Sequence, residues 1–120
     1  MRQFRAAVEA GDIEAAVALL ADDVVFHSPV AFKPYQGRAT VEVILRAVFT
    51  VFEDFRYVRE IASGPDAALV FEARIGERAL TGCDFLHVDA DGRIDDFTVM
   101  VRPLSGVQAL GEAMAARLSR

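Results

Sequence analysis

The sequence predicts an α+β fold in which helices pack on one side of a curved, mainly antiparallel sheet. Two short helical patterns open the chain, a longer one follows, and four strand-like runs separated by turn signals come next. With 120 residues, of which 53% are hydrophobic and nine are Phe, the chain can form one domain around one core. We therefore expect a single domain over residues 1–120, with an apolar pocket between the sheet and the helices.

The first two elements are short helices joined at a glycine. Phe4, Ala7 and Val8 recur at helical spacing, and this pattern stops at Gly11. Asp12 is then a natural N-cap, because its carboxylate can accept a hydrogen bond from the first turn of a second helix. The apolar residues of that second helix are Ile13, Ala16, Val17, Leu19 and Leu20.

A strand, a loop and a longer helix come next. The acidic pair Asp22-Asp23 is expected to break the pattern, so that a strand begins at Val24 and ends at Ser28. Residues 29–37 contain two prolines and read as a loop that could cover the pocket. The helix predicted over residues 39–54 has a wide apolar stripe, formed by Val41, Leu45, Val48, Phe49 and Phe52.

The second half of the chain reads as an antiparallel meander followed by a helix. Strands are predicted over residues 55–62, 67–75, 78–88 and 93–102, because hairpin signals separate them. In these strands apolar residues alternate with polar ones, which gives the sheet one apolar face and one mixed face. Residues 105–108 form a capping-box pattern, and we expect the last helix to open with it and to have Val107, Leu110, Met114 and Leu118 on one apolar stripe. The sequence does not decide whether this helix closes the pocket or joins an interface between two chains.

Asp84 interrupts the apolar face of the third of these strands. Its parity places it on the same face as Leu80, Leu86 and Val88. Burying an ionised carboxylate without a partner costs several kcal/mol, so either its pKa rises or another group supplies the partner. Two interpretations stay open: a structural carboxylate bonded to a backbone N–H or to an arginine such as Arg5, and a pocket acid that hydrogen-bonds a ligand oxygen.

The charge of the chain argues against two classes of partner. The net charge is −5, whereas nucleic acids and anionic membrane surfaces attract basic patches. No apolar stretch reaches the roughly 18 residues of a membrane span, and the first residues lead into a helix rather than a signal-peptide core. We therefore expect a cytoplasmic protein that binds neither nucleic acid nor membrane.

We expect neither a cofactor nor a metal ion. Cys83 is the only cysteine, which excludes an intrachain disulfide and a cysteine-rich zinc site. Residues 87–98 place carboxylates at some calcium-loop positions, but His87 and Thr98 occupy the positions of the first carboxylate and the bidentate glutamate. A hairpin turn at Asp91-Gly92 explains this segment better.

Four segments carry a resemblance to a known superfamily. They are the step Ala10-Gly11-Asp12 between two short helices, residues 18–25 together with the loop at 29–37, and the turn at 91–94 before the last strand. Over about residues 4–102 the chain resembles the nuclear transport factor 2-like superfamily, which includes SnoaL-like polyketide cyclases and ketosteroid isomerases. The resemblance implies a cystatin-like cone, in which a strongly curved sheet encloses an apolar pocket, and a homodimer formed through the outer sheet face.

The resemblance also assigns positions to the chemistry of ketosteroid isomerases, which use an aspartate base and an oxyanion hole of a tyrosine and a protonated aspartic acid. It places the protonated acid at Asp84, the base at Ser28 and the tyrosine at Phe4. Neither Ser28 nor Phe4 can perform the corresponding step, which argues against steroid isomerisation by that route. His27 and Asp95 are the substitute bases, although strand parity directs His27 outward and only Asp95 inward.

The candidate catalytic residues are therefore Asp84, His27 and Asp95. The candidate ligand-binding residues are the aromatic, aliphatic and hydroxyl side chains expected on the pocket wall: Phe4, Phe26, Ser28, Phe32, Tyr35, Phe49, Phe52, Tyr57, Phe71, Leu86, Phe97 and Val99.

Three functions remain open, of which we favour the first. The first is binding of a small hydrophobic, oxygen-bearing molecule with Asp84 as its polar anchor. The second is a cofactor-free isomerase, cyclase or dehydratase that uses Asp84 as acid and His27 or Asp95 as base. The third is a dimeric scaffold with a vestigial pocket, in which the interface on the outer sheet face includes Arg74, Thr98, Met100 and Arg102.

Overall fold

Four helices and one six-stranded, curled sheet make up the part of the chain that the structure describes, residues 2–118 of a computed structural model. The helices are α1 (Arg2–Glu9), α2 (Ile13–Ala18), α3 (Arg38–Val51) and α4 (Leu104–Leu118). The strands are β1 (Leu20–His27), β2 (Tyr35–Gln36), β3 (Glu53–Ser63), β4 (Asp66–Ile75), β5 (Arg78–Val88) and β6 (Ile94–Arg102). The predicted α+β class is confirmed.

The sheet is antiparallel except at one junction. Its strand order is β2-β1-β6-β5-β4-β3, and only β1 and β6 pair in parallel. The chain reaches β6 through the predicted meander of β3, β4 and β5, so that β6 closes back onto β1. This order brings the first strand of the chain beside its last strand.

The inner face of the sheet and the four helices share one hydrophobic core. Alternation along β4 buries Leu69, Phe71 and Ala73, as the sequence predicts. These residues belong to one cluster with Leu45 of α3 and Leu110 of α4. The helices therefore cover the concave face of the sheet, and no helix of residues 2–118 covers the opposite face.

The two opening helices form as expected. α1 buries Phe4 and Ala7, and α2 buries Ala16 and Val17. Asp12 caps α2, because its Oδ1 accepts a hydrogen bond of 3.1 Å from the backbone N–H of Ala15.

The expectation that Asp22-Asp23 delays the start of the first strand to Val24 is wrong. β1 already begins at Leu20, which pairs with Ile94 of β6, and it runs through both aspartates. The pairing is irregular between Leu20 and Val25, and there both carboxylates are exposed to solvent. A strand tolerates two adjacent charges here because the irregularity leaves neither of them on the buried face.

Other boundaries differ by a few residues. α3 ends at Val51 instead of residue 54, because Phe52 takes an extended backbone and Asp54 adopts a positive φ of 54°. The predicted loop at 29–37 contains the short strand β2, which pairs with β1. α4 begins at Leu104, so Ser105 lies in its first turn and does not cap it.

Over residues 2–118, none of the helices combines the length and the apolar character that crossing a membrane requires.

Candidate functional site

An apolar cavity lies between the inner sheet face and the helices. Its volume is about 90 Å³, and side chains from every element except α2 line it. The predicted pocket residues that reach it are Phe4, Phe26, Ser28, Tyr35, Phe49, Phe52, Tyr57, Phe71, Asp84, Phe97 and Val99. Their roles in ligand binding remain predictions, but the fold brings these eleven side chains together around one space.

Asp84 is the only charged side chain on the cavity wall and the only charged residue among residues 2–118 that is buried. It lies on β5 between Leu69 of β4 and Val99 of β6, and only 6% of its surface is exposed. The strand parity that predicted its inward orientation places it on the same face as the buried Leu80 and Leu86. The carboxylate is therefore held on the floor of the cavity by two flanking strands.

Tyr57 is the hydrogen-bonding partner of Asp84. Its hydroxyl donates to Asp84 Oδ2 over 2.8 Å, and both residues are buried. Asp84 Oδ1 forms no hydrogen bond within residues 2–118, yet no fully enclosed side-chain oxygen in that part of the chain lacks a partner. Oδ1 is therefore open to the cavity, where a ligand atom can reach it.

Burial changes the acidity of both members of this pair. Removal from water raises the pKa of Asp84 to about 7, and the hydrogen bond from Tyr57 opposes this rise. Burial, followed by the negative charge of Asp84, raises the pKa of Tyr57 above its ordinary value. Tyr57 is thus a neutral donor, while Asp84 is near its point of half-ionisation at neutral pH.

The ring of Tyr57 is fixed on both sides. Phe55 meets it edge-on with centroids 5.0 Å apart, and Phe71 meets it edge-on at 6.4 Å. The guanidinium of Arg5 lies 5.8 Å from the ring centroid, within the range of a cation–π contact. Arg5 is itself held by ion pairs with Glu9 at 3.1 Å and Glu60 at 3.0 Å. Arg5 therefore contacts Tyr57 and does not bond Asp84 directly.

Gly82 makes room for the ring that forms the floor next to Asp84. It lies opposite Phe71 across the β4–β5 pair, and a Cβ atom at this position would overlap the Phe71 ring. The absence of a side chain at Gly82 lets Phe71 lie close against β5. The depth of the cavity at this point depends on that close approach.

A second group of polar side chains lies at the other side of the wall. Ser28 follows β1, and its Oγ accepts a hydrogen bond of 3.1 Å from the backbone N–H of Val30. Tyr35 of β2 is half-buried against Phe26, with ring centroids 6.5 Å apart. Among the residues that the structure describes, these two together with Asp84 and Tyr57 are the polar side chains of the cavity wall.

α4 covers the cavity, which answers a question that the sequence left open. Leu110, Met114 and Leu118 form one stripe of this helix and line the cavity. Near its end, Arg117 donates a hydrogen bond of 3.0 Å to Thr50 Oγ1 of α3. The helical spacing predicted the apolar stripe but could not say what it packs against.

Neither of the two proposed bases reaches the cavity. His27 lies on the outer face, where its Nε2 is 3.4 Å from Asp96 Oδ2. Asp95 was expected to point inward, but it is an extra residue in β6 between the pairs His87–Asp96 and Val88–Ile94. This bulge lets Asp95 contact His87 Nδ1 at 2.6 Å, and that hydrogen bond raises the pKa of His87.

Two predicted wall residues also lie elsewhere. Phe32 is fully exposed on the loop before β2 and, with His27, faces an open groove on the surface. Leu86 is buried in the core but is not part of the cavity wall. The loop thus contributes Pro29, Val30 and Tyr35 to the cavity instead of Phe32.

Sequence reasoning missed several wall residues, most of which the helices supply. Val8 of α1, Ile44, Leu45 and Val48 of α3 and Phe55 of β3 all line the cavity. Their apolar periodicity was visible, but periodicity does not separate a residue packed in the core from one that borders a cavity. Over residues 2–118, no group of three or more His, Cys, Asp or Glu side chains is arranged to hold a metal ion.

Comparison with known proteins identifies the family. Residues 1–97 match the model of the SnoaL-like domain. The chain belongs to the SnoaL-like family. Structural similarity to steroid isomerases and other nuclear transport factor 2-like proteins places this SnoaL-like chain in that superfamily, as the sequence predicted. Among proteins with curated descriptions, no significant match exists.

Solved structures similar to this SnoaL-like chain include one that carries the name of an enzyme. A steroid delta-isomerase from Pseudomonas aeruginosa is 50% identical, covers 98% of this chain and 88% of its own, and has a TM-score of 0.94. An uncharacterised bacterial protein with a cystatin-like fold from Silicibacter pomeroyi is 39% identical, covers 98% of this chain and 84% of its own, and has a TM-score of 0.93. A protein of unknown function from Mesorhizobium loti, 21% identical over 86% of this chain and 88% of its own, shares the fold with a TM-score of 0.74.

Proposed function

We propose that this SnoaL-like chain binds a small hydrophobic, oxygen-bearing molecule in the cavity, with Asp84 as its polar anchor. The observation that supports this most is that Asp84, buried among aromatic side chains, keeps Oδ1 open to the cavity. An apolar pocket with a few convergent polar groups is the usual form of a small-molecule site. A carboxyl near half-ionisation can either donate to a ligand carbonyl or accept from a ligand hydroxyl.

A thermal-shift screen tests this proposal. Wild type and Asp84→Asn would be heated with hydrophobic ketones, phenols, terpenoids and aromatic polyketide fragments. A ligand at about a hundred times its dissociation constant adds roughly 2.7 kcal/mol to the free energy of unfolding, which raises the midpoint by several degrees. We expect at least one class to raise the midpoint of wild type and to lose that effect in Asp84→Asn.

The control is Asp96→Asn, which removes a carboxylate from the outer face of the same sheet. This variant should respond to the ligand as wild type does. A screen without any shift in wild type, or a phenol whose shift Asp84→Asn retains in full, would contradict the proposed anchor. That result would favour the scaffold with a vestigial pocket, for which the bond between Tyr57 and Asp84 already satisfies one carboxylate oxygen.

An isomerase-type activity at the same site is the second candidate. The specific observation in its favour is the 50% identity to the protein named as a steroid delta-isomerase. Within residues 2–118, Asp84 is the only carboxyl or imidazole on the cavity wall, and its pKa of about 7 suits proton transfer at neutral pH. Product analysis of each hit distinguishes the two candidates, because an enzyme converts the ligand and Asp84→Asn abolishes that conversion.

We also propose that the chain forms a homodimer through the outer sheet face. Ile61 and Phe85 lie in one row across β3, β4 and β5, and Met100 lies in the adjacent row on β6. All three are large apolar residues, exposed by 60%, 42% and 60%. Such a patch is typical of a protein–protein interface. Light scattering should give twice the 13.1 kDa chain mass for wild type and one chain mass for Met100→Glu combined with Phe85→Glu.

A wild type that is monomeric at every concentration would contradict this dimer. The scaffold residues Arg74, Thr98 and Arg102 lie on the same face, so their substitution tests the extent of the interface.

A further inference from the structure

The size of the cavity limits the ligand that it can hold. An apolar cavity of roughly 150 Å³ takes up one benzene molecule, and the cavity here is smaller, with a volume of about 90 Å³. Its size therefore corresponds to one six-membered ring with small substituents. A steroid, with four fused rings, is far larger.

The aromatic packing of the wall keeps the cavity small. Phe97 contacts Phe4 and Phe26 with centroids 5.4 Å and 5.3 Å apart, which closes one side. On the other side, Phe71 lies over Gly82 and stacks on Phe55 at 4.8 Å. Each of these rings packs against another ring, so enlarging the cavity would separate several aromatic contacts.

Two polar positions lie on either side of Val99 on the cavity floor. Asp84 is paired with Val99 across β5 and β6. On the other flank, His27 is paired with Thr98 in the parallel β1–β6 ladder, so Ser28 lies beside Val99. Ser28 and Asp84 are therefore two strands apart, about 10 Å between Cα atoms, with the side chain of Val99 between them on the cavity wall.

Each of these two positions has an unused hydrogen-bonding capacity. A serine hydroxyl has one donor and two acceptor sites. Ser28 Oγ accepts from Val30, and within residues 2–118 its hydrogen has no acceptor, so it can donate to a ligand oxygen. Asp84 Oδ1 is open to the cavity, while Oδ2 is occupied by Tyr57.

We infer that the cavity takes a single-ring molecule with oxygen atoms at opposite ends of the ring, one bound by Asp84 and the other by Ser28. The ring lies over Val99, and the aromatic wall contacts its faces and edges. This inference rests on the proposed function, because it uses the same cavity and the same anchor. It adds the size of the ligand, the number of its oxygens and a second binding residue.

Calorimetric titration with three single-ring phenols tests the inference. para-Methoxyphenol has an oxygen at each end, meta-methoxyphenol is its isomer with the same polarity, and para-ethylphenol replaces the ether oxygen by a methylene of similar size. The naphthol with hydroxyl and methoxy groups at opposite ends is the two-ring probe. Each is titrated into wild type, Ser28→Ala, Asp84→Asn and the control Ser63→Ala, which changes an exposed serine at the end of β3.

One neutral hydrogen bond corresponds to about a fivefold change in affinity. We expect wild type to bind the para isomer about fivefold more tightly than the meta isomer, and Ser28→Ala to remove this preference. The affinity for para-ethylphenol should be the same in Ser28→Ala and wild type, because that probe has no oxygen at the Ser28 end. Asp84→Asn should weaken all three phenols, Ser63→Ala none, and the two-ring probe should bind at least tenfold more weakly despite its larger apolar surface.

The outcomes separate this inference from the proposed function. Binding that depends on Asp84 but is equal for both isomers and unaffected by Ser28→Ala would overturn the second oxygen and leave the anchor intact. Tighter binding of the two-ring probe would overturn the limit of one ring. If none of the four probes binds while a larger ligand of the thermal-shift screen does, this inference fails and the proposed function stands. If no ligand of either set binds, both fail.

Discussion

Carboxylates on the two faces of the sheet differ in solvent exposure and in hydrogen-bonding partner. On the inner face Asp84 is alone, 6% exposed and bonded to a neutral phenol. On the outer face and its edge, Asp95 and Asp96 remain partly exposed and each contacts a histidine. The side-chain chemistry is the same, but the inner carboxylate is removed from bulk solvent and contacts neither a histidine nor an arginine within residues 2–118. Burial is therefore the dominant influence on Asp84, and it favours the neutral acid.

This difference makes Asp84 a functional candidate in physical terms. An asparagine would fit the same position and accept the same hydrogen bond from Tyr57 without the cost of burying a charge. Keeping an acid there lowers the stability of the fold at neutral pH. Such local costs are expected at binding and catalytic sites, where the group has a task that the fold alone does not explain.

The largest effect expected on the inner face comes from Gly82→Ala. The added Cβ overlaps the Phe71 ring, so the ring must move into the cavity, and we expect a loss of up to about 3 kcal/mol in the free energy of unfolding. The control is Gly111→Ala on α4, where a new Cβ lies 3.6 Å from its nearest neighbour and helix propensity favours alanine. Denaturant unfolding of both variants checks this, and a Gly82→Ala variant as stable as Gly111→Ala would contradict the described floor.

The pH dependence of Asp84→Asn tests the burial of the charge. The pKa of Asp84 is 3.8 when unfolded and about 7 when folded, so stability of wild type falls as pH rises between these values. The free energy of unfolding of Asp84→Asn, measured relative to wild type, should therefore increase by about 2 kcal/mol from pH 5.5 to pH 8. Urea unfolding at both pH values measures it, with Asp96→Asn as the control for removing a carboxylate from the sheet.

If the difference in free energy of unfolding between Asp84→Asn and wild type is the same at the two pH values, folding does not raise the pKa of Asp84.

The smallest effect is expected on the outer face. The carboxylate of Asp95 accepts from His87 Nδ1 and holds the pKa of this histidine above its ordinary value. Asp95→Asn should lower the pKa of His87 towards that value, as followed by the proton resonances of its ring, and should leave ligand binding in the cavity unchanged. Asp91→Asn in the preceding turn is the control. A loss of ligand binding in Asp95→Asn would mean that the two faces are coupled.

The sequence predicts most of the fold and part of the site because parity and periodicity are local properties. The inward orientation of Asp84 and the outward orientation of His27 each follow from the alternation of side chains along the residue's own strand. The position of Asp95 does not, because a single extra residue in β6 reverses the alternation at that point.

Contacts between distant segments explain what the sequence could not predict. Tyr57 and Asp84 are 27 residues apart, on strands that do not neighbour each other, so no local pattern reveals their hydrogen bond. Phe32 was assigned to the wall from its apolar character, but its loop directs it into solvent and places Tyr35 at the cavity instead. The position of α4 over the cavity is likewise a tertiary property.

Measuring the protonation of Asp84 shows whether a buried acid lies at the centre of the site. The carboxyl carbon resonance of Asp84, assigned by comparison with Asp84→Asn, would be followed against pH in the free protein, in Tyr57→Phe and with a ligand from the screen. We expect it to titrate near pH 7 in the free protein, at a higher pH in Tyr57→Phe, where the stabilising hydrogen bond is lost, and at a changed pH with ligand. Titration near pH 4 that neither Tyr57→Phe nor the ligand alters would contradict a buried acid at the centre of the site.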